Sequence, residues 1–230
     1  MMEKLAKKIG VKFNNPKLLE QALTHRSYLN EHRGHKLEHN ERLEFLGDAV
    51  LELVVTEYLY ENYKNPEGEL TNWRAALVNG EMLASISKKL EVEEYLLMSK
   101  GEAKDKGRAR QYLLANAFEA IVGAIYIDQK DKGYQGCKKF ILDNVVSELP
   151  EILEKKLFMD PKSRFQEVSQ EKVGITPSYR VMSESGPDHD KKFVVGVYLG
   201  DDFVAEGDGA SKQEAQKNAA IKALEAKDWS

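Results

Sequence analysis

The first 150 residues place apolar side chains at helical spacing, with few Pro or Gly residues between them. Residues 113–127 are apolar and alanine-rich around two polar positions, which predicts a helix buried on most sides. We therefore expect an all-α domain over residues 1–150. Two further series follow the three-to-four-residue spacing of an amphipathic helix: Leu43, Leu46, Val50, Leu53 and Tyr58, and then Leu77, Leu83, Ile86 and Leu90.

The pattern changes after residue 150. An amphipathic connector over 151–160 precedes Pro161, which suits the first turn of a new helix. A last helix opens at Ser211, whose hydroxyl can form a capping box with Glu214. We expect an α+β domain over 161–228 with the order α-β-β-β-α. Its three short antiparallel strands are predicted where β-branched and aromatic residues alternate with Gly/Asp-rich turns, at 178–182, 192–199 and 203–206.

Composition narrows the class of protein. Among the 230 residues, 42% are hydrophobic and 31% charged, which is typical of a globular chain with a core. The single cysteine, Cys137, excludes an internal disulfide and indicates a buried apolar role. No apolar run reaches the roughly 18–20 residues that a membrane span needs, so we expect a cytoplasmic protein. The net charge is −4, whereas proteins that bind nucleic acids usually carry an excess of basic residues.

Three acids in the first domain share one helix face. Glu41, Glu44 and Asp48 are three and four residues apart, so they repel one another unless a cation lies between them. A solvated acidic stripe is the ordinary alternative, but apolar residues surround these acids closely. Gly47, in mid-helix, costs about 1 kcal/mol against alanine and predicts the close approach of another backbone. A divalent-metal site at a cleft is therefore favoured.

The residues around these acids resemble a known family. The segment 41–49, ERLEFLGDA, is similar to the signature motif of the ribonuclease III family. Segments 22–28, ALTHRSY, and 118–126, FEAIVGAIY, resemble two further blocks of that family in the same order. Nine matching residues with two supporting blocks are far more specific than one short motif. The likeness extends through nearly the whole chain.

The resemblance implies a homodimeric, magnesium-dependent endonuclease for double-stranded RNA, with manganese as a possible substitute. Such an enzyme leaves a 5′-phosphate, a 3′-hydroxyl and a short 3′ overhang, and it processes ribosomal and other RNA. Glu41 matches a further active-site acid, and Glu67 an acid placed near the centre of the other subunit. The positions that match the family's magnesium ligands are Glu44, Asp48, Asn116 and Glu119.

Asn116 departs from the family pattern, which has aspartate three residues before the second-helix glutamate. An asparagine carbonyl can coordinate a cation but brings no negative charge, so metal affinity and rate should fall. The asparagine is either a natural variant or an introduced change that disarms the enzyme, and the sequence alone leaves both open. The alternative function is accordingly a cleavage-impaired protein that binds double-stranded RNA.

The C-terminal domain has PKS at 161–163, FQE at 165–167 and KQEAQK at 212–217 within its α-β-β-β-α order. In these features it resembles the double-stranded RNA-binding domain, which recognises the A-form shape across successive minor grooves. Residues 158–230 contain ten Lys plus Arg against thirteen Asp plus Glu, a net charge of −3. We therefore expect modest, strongly salt-dependent binding. By position, the resemblance implies RNA contacts from Gln166, Glu167, Pro187, His189, Lys212, Gln216 and Lys217.

Two other interpretations are weaker. A nuclease acting on DNA is disfavoured because the C-terminal pattern resembles a reader of A-form RNA. A zinc site is disfavoured because the histidine-rich segment has irregular spacing and no cysteine. Its histidines are His25, His32, His35 and His39.

Overall fold

The computed structural model describes residues 2–104, 107–187 and 191–229. Two compact units divide the chain, Met1–Glu154 and Lys155–Ser230. Within the described residues, no helix has the length and apolar character needed to cross a membrane. The first unit contains ten α-helices in its described part: α1 (Met2–Lys8), α2 (Pro16–Ala22), α3 (Arg26–Glu31), α4 (Glu41–Asn62), α5 (Glu67–Val78), α6 (Gly80–Lys89), α7 (Lys100–Lys104), α8 (Arg108–Asp128), α9 (Gly133–Asn144) and α10 (Leu149–Glu154).

Helices α4 and α8 form the centre of the first unit, and they contact each other along much of their length. The prediction that residues 113–127 form a largely buried helix is confirmed, because α8 buries Leu114, Phe118, Ile121 and Ile125 completely. The described part of this unit contains no extended strand and only an isolated bridge between Thr24 and Leu97. The expected all-α architecture is confirmed.

The cysteine lies where the sequence predicts. Cys137 on α9 is fully buried, and its Sγ donates to the Val122 carbonyl oxygen at 3.3 Å. Burial raises the pKa of the thiol to about 12. The thiol therefore stays protonated at physiological pH and serves as a small apolar side chain.

One buried carboxylate joins the end of α8 to the residues just before α2. Asp128, at the end of α8, is 5% exposed and accepts hydrogen bonds from the backbone N–H groups of Asn14 and Asn15, both at 2.7 Å. We expect Asp128→Asn to destabilise the unit by about 2–3 kcal/mol, because an amide nitrogen would face a backbone donor. Urea unfolding checks this. The matched control, Asp131→Asn on an exposed turn, should leave the unfolding midpoint unchanged.

The second unit has the predicted order of elements. Its three-stranded antiparallel sheet has the order β1-β2-β3. Its elements are α11 (Pro161–Val173), β1 (Pro177–Ser185), β2 (Lys192–Leu199), β3 (Asp202–Gly209) and α12 (Lys212–Ala226). The α+β fold is confirmed. The core between helices and sheet consists of Phe165, Val197, Leu199, Ala219, Ala220, Ala223 and Leu224.

Two strands are longer than the sequence predicts. β1 continues to Ser185 because a bulge between Val181 and Ser183 lets its pairing with β2 resume. β3 continues to Gly209, beyond its predicted end at residue 206. A Cβ atom at Gly207 would lie 2.1 Å from the backbone nitrogen of Ala219, so the glycine lets α12 lie against the strand. The Gly/Asp-rich composition that indicated a turn instead marks this close packing.

The cap of the last helix is confirmed. Ser211 is the N-cap of α12, and its Oγ accepts from the Glu214 backbone N–H at 3.1 Å. The Glu214 carboxylate reaches back to the backbone N–H of Ala210, at 3.0 Å. The first helix of this unit is capped by Asp160, with Pro161 in its first turn as expected.

Candidate active site and nucleic-acid interface

The backbones of α4 and α8 touch where two glycines face each other. A Cβ atom at Gly47 would lie 1.7 Å from the carbonyl oxygen of Glu119. A Cβ atom at Gly123 would lie 2.1 Å from the carbonyl oxygen of Leu43. The close backbone approach predicted at Gly47 is therefore confirmed. Asp48 directly follows Gly47 and Glu44 lies one turn before it, so this contact brings the two acids of α4 towards Glu119 of α8.

The carboxylates at this crossing repel one another. Burial raises the pKa of Glu119 to about 7, with Asp48 and Glu44 adding to the shift. The pKa of Glu44 is raised by burial, then by Glu41 and Asp48. Glu44 and Glu119 are half-buried, whereas Asp48 is exposed. The structure thus brings together Glu44, Asp48 and Glu119 as a cluster whose negative charges are mutually destabilising.

Asn116 belongs to the same cluster. A side-chain hydrogen bond from Asn116 lowers the pKa of Glu44, against the effects of burial and of the other acids. Because a carboxylate can only accept, the Asn116 amide nitrogen is the donor in this interaction. An aspartate at this position would replace a donor with a further negative charge.

Glu41 and Glu67 have different surroundings. The Glu41 carboxylate lies 3.6 Å from Arg26 Nη1 and 3.8 Å from His39 Nδ1. Its charge is therefore balanced partly by basic neighbours. Glu67 is exposed at the start of α5, where it accepts a hydrogen bond from Thr71 Oγ1 at 3.3 Å. Glu67 is not among the charges that raise the pKa of Glu44 or Glu119.

The chemistry of the cluster fits a hard cation such as magnesium, which prefers carboxylate and carbonyl oxygens. Among the described residues, the charges that shift the pKa of Glu44 and Glu119 are those of other acids, and a divalent cation would offset this repulsion. In the described ranges, no three His, Cys, Asp or Glu side chains are already arranged to hold a metal.

The histidine side chains of the histidine-rich segment form contacts with neighbouring residues of the first unit. His25 caps α3 through a hydrogen bond from the Ser27 backbone to its Nδ1, and burial is the main cause that lowers its pKa. The imidazole of His32 stacks on Tyr28 with ring centroids 3.9 Å apart, and His35 meets the edge of the same tyrosine.

The residues predicted to contact RNA lie on both helices of the second unit and on its β1–β2 loop. Gln166 and Glu167 are exposed on α11, and Pro187 is exposed after β1. Lys212 and Lys217 are exposed on α12. His189 falls outside the described residues.

The remaining predicted contact, Gln216, is half-buried and accepts a hydrogen bond from Lys162 Nζ at 2.6 Å. Its partner Lys162 is not among the residues that the sequence predicts at the RNA interface. Its position four residues before Gln166, on the same helix face, was the available signal.

Comparisons with known proteins match both units. Residues 15–149 match a family model described as ribonuclease-III-like, and residues 161–227 match the double-stranded RNA binding motif. The chain is 46% identical to "Ribonuclease 3" of Enterococcus faecalis over 224 residues, covering 96% of this chain and 94% of that protein. "Ribonuclease 3" of Leptospira interrogans is 48% identical over 221 residues, covering 95% of this chain and 87% of that protein.

A solved structure agrees with these relatives. The nuclease domain of ribonuclease III from Campylobacter jejuni, described for structural flexibility in a region involved in dimer formation, is 40% identical. It superposes with a TM-score of 0.57 and covers 65% of this chain and 99% of that chain. The fold and site thus define a ribonuclease-III-like unit followed by a double-stranded RNA-binding unit. The chain belongs to the ribonuclease III family.

Proposed function

We propose that the chain is a magnesium-dependent endoribonuclease that hydrolyses phosphodiester bonds in double-stranded RNA. Its products would carry a 5′-phosphate, a 3′-hydroxyl and short 3′ overhangs. The observation that carries the proposal is the uncompensated cluster of Glu44, Asp48 and Glu119 at the glycine crossing, with the pKa of Glu119 raised to about 7. We place the activity in the cytoplasm, on ribosomal and other RNA precursors.

The acids would perform the chemistry as a group. The carboxylates of Glu44, Asp48 and Glu119 and the carbonyl oxygen of Asn116 would hold the cation beside the phosphate. When bound, magnesium supplies a Lewis acid that lowers the pKa of water and stabilises charge on the phosphate. Attack by a water oxygen on phosphorus breaks the P–O3′ bond, and the departing O3′ takes up a proton. Without a cation, the same acids repel the phosphate, so the cluster itself makes cleavage dependent on metal.

We propose that two copies form the working enzyme. On α4, Phe45, Leu53 and Tyr60 are 81%, 57% and 75% exposed, and the successive intervals of eight and seven residues put them along one side of the helix. Large apolar side chains this exposed mark an interface. Tyr60 and Glu67 line one cleft of about 540 Å³ at the end of α4. Glu67 would then act near the active site of the second copy.

The second unit would grip the duplex through α11, the β1–β2 loop and the start of α12. Removing both Lys212 and Lys217 by alanine substitution should weaken RNA binding and reduce the slope of log affinity against log salt by about two, because each lysine would neutralise one phosphate. Filter binding across a salt series measures this slope. Lys227→Ala, at the far end of the helix, is the matched control. An unchanged slope in the double variant would exclude these lysines as phosphate contacts.

A second candidate function follows from Asn116. The neutral amide supplies one charge fewer than an aspartate, which favours a protein that binds duplex RNA but cleaves it poorly. We expect Asn116→Asp to raise the cleavage rate at limiting magnesium by about tenfold, because it adds an ionic ligand. The measurement is cleavage of an end-labelled RNA duplex over a magnesium series. Asn72→Asp, exposed on α5, controls for the added charge.

The same assay separates the two functions. Cleavage by the unmodified chain, lost in Glu119→Ala, supports the nuclease with Asn116 as a tolerated ligand. Binding without cleavage, with cleavage restored by Asn116→Asp, supports the impaired protein. Absence of cleavage in both the unmodified chain and Asn116→Asp would rule out the enzyme.

A further inference from the structure

A lysine on the first turn of α11 connects three elements of the second unit. Lys162 Nζ donates a hydrogen bond to Gln216 Oε1 on α12 at 2.6 Å. The same nitrogen lies over the ring of Tyr179 on β1, 5.1 Å from the ring centroid. The Lys162 side chain is half-buried, and Tyr179 packs against the core of the unit. The charge of Lys162 is therefore held at a junction of α11, α12 and β1.

This junction lies between two sets of proposed RNA contacts. Gln166 follows Lys162 by one turn on the same side of α11, and it is exposed. Lys217 follows Gln216 on α12 and is also exposed. A double-stranded RNA-binding unit must match a minor groove and the phosphates across the adjoining major groove at once, and the A-form helix fixes their separation. The spacing of α11 and α12 at this junction therefore affects the fit to RNA.

The hydrogen bond also fixes the orientation of Gln216. An ammonium group only donates, so the Gln216 carbonyl oxygen faces Lys162 and its NH₂ group points away. That NH₂ group suits the acceptor oxygens of phosphates and 2′-hydroxyls. In the predicted RNA contact, Gln216 would therefore donate a hydrogen bond from its NH₂ group to an oxygen of the RNA.

From these contacts we propose that Lys162 is a positioning residue for duplex recognition. It holds α12 and the Gln216 amide at the distance from α11 that an A-form duplex requires. Its Nζ donates a hydrogen bond inside the protein, which distinguishes it from Lys212, whose Nζ lies over the Phe193 ring at 5.7 Å from the ring centroid. This inference rests on the proposed RNA-binding role of the second unit.

The test compares Lys162→Met with Lys172→Met in the full chain. Methionine keeps the apolar stem against Tyr179 but removes the donor. Lys172 lies in the last turn of the same helix and is exposed, so its variant loses the same charge. Affinities for an RNA duplex and for a DNA duplex of the same sequence are measured in calcium instead of magnesium, over a salt series, with circular dichroism as the check on folding.

We expect Lys162→Met to lower RNA affinity by about tenfold with an unchanged salt slope, because the loss is one of geometry and not of a phosphate contact. Its DNA affinity should change no more than that of Lys172→Met, so that discrimination between RNA and DNA falls. Gln216→Leu breaks the same contact from the other side. The double variant should cost no more than Gln216→Leu alone, because Lys162 acts through Gln216 and Gln216→Leu also removes the proposed RNA contact.

Three results would overturn the positioning role: a salt slope reduced by about one, an RNA affinity equal to that of Lys172→Met, or additive losses in the double variant. Failure of the unmodified chain to prefer the RNA duplex over DNA is a separate result, which overturns the proposed RNA-binding function itself.

Discussion

Cleavage of duplex RNA should fall by at least about 1000-fold in Glu119→Gln, because the amide removes one of the three charges that would hold the cation beside the phosphate. The same variant should be more stable than the unmodified chain when magnesium is absent. Burial raises the pKa of Glu119 from its ordinary value to about 7, so ionising this acid costs free energy in the folded protein. After allowance for its partial exposure, the gain is about 1–2 kcal/mol at pH 8.

The sign of this pH dependence follows from the raised pKa. Below about pH 4.5, Glu119 is protonated in both the folded and the unfolded chain, so the variant gains nothing. The gain grows between pH 4.5 and 7 and is complete above that range. Thermal unfolding across pH measures it, with Glu81→Gln, exposed on α6, as the control. Magnesium should stabilise the unmodified chain more than the variant. A variant that is fully active, or less stable at pH 8, would contradict the assigned role of Glu119.

Replacing Gly47 with alanine should cost at least about 3–5 kcal/mol, which is enough to unfold the helical unit. The added methyl group would lie 1.7 Å from the Glu119 carbonyl oxygen and 2.8 Å from the Gly123 backbone nitrogen. Backbone atoms in the middle of a helix cannot move aside as a flexible side chain does. Helices α4 and α8 would have to separate, which would expose the buried face of α8 and disperse the acids.

The control for this substitution is Gly68→Ala. Gly68 also lies within a helix, α5, but a Cβ atom there would meet nothing within 4 Å. This variant should be neutral or more stable by up to about 1 kcal/mol, because alanine favours the helix. Urea unfolding followed by circular dichroism compares the two. Equal stability of Gly47→Ala and Gly68→Ala would show that the helices do not depend on backbone contact at this crossing.

The sequence predicts a close backbone approach at Gly47 but not which residues of α8 take part in it. A glycine in the middle of a helix is costly unless packing requires it, so Gly47 predicts a close approach. Its partner, Gly123, depends on the tertiary arrangement of α4 and α8. The shared face of Glu44 and Asp48 follows from helical periodicity alone. Burial of Glu119 depends on packing between distant segments, and therefore no local pattern gives its pKa.

Hydrogen bonds between segments far apart in the chain are not predicted from the sequence, because they also depend on tertiary packing. The absence of a negative charge at Asn116 is evident from the sequence. The effect of Asn116 on the pKa of Glu44 depends on how α8 crosses α4. Asp128 binds backbone groups more than 110 residues away in the chain. The contacts of Lys162 with Gln216 and Tyr179 likewise join separate elements and follow from no local sequence pattern.

The burial of Cys137 has a practical consequence for such experiments. It is the chain's single cysteine, and its thiol is both inaccessible and protonated at neutral pH. Maleimide dyes react with exposed thiolates, so the unmodified chain should remain unlabelled. A cysteine introduced at exposed Lys227 would then be the sole reactive thiol, and a fluorophore attached there would report duplex binding in a chain with one substitution.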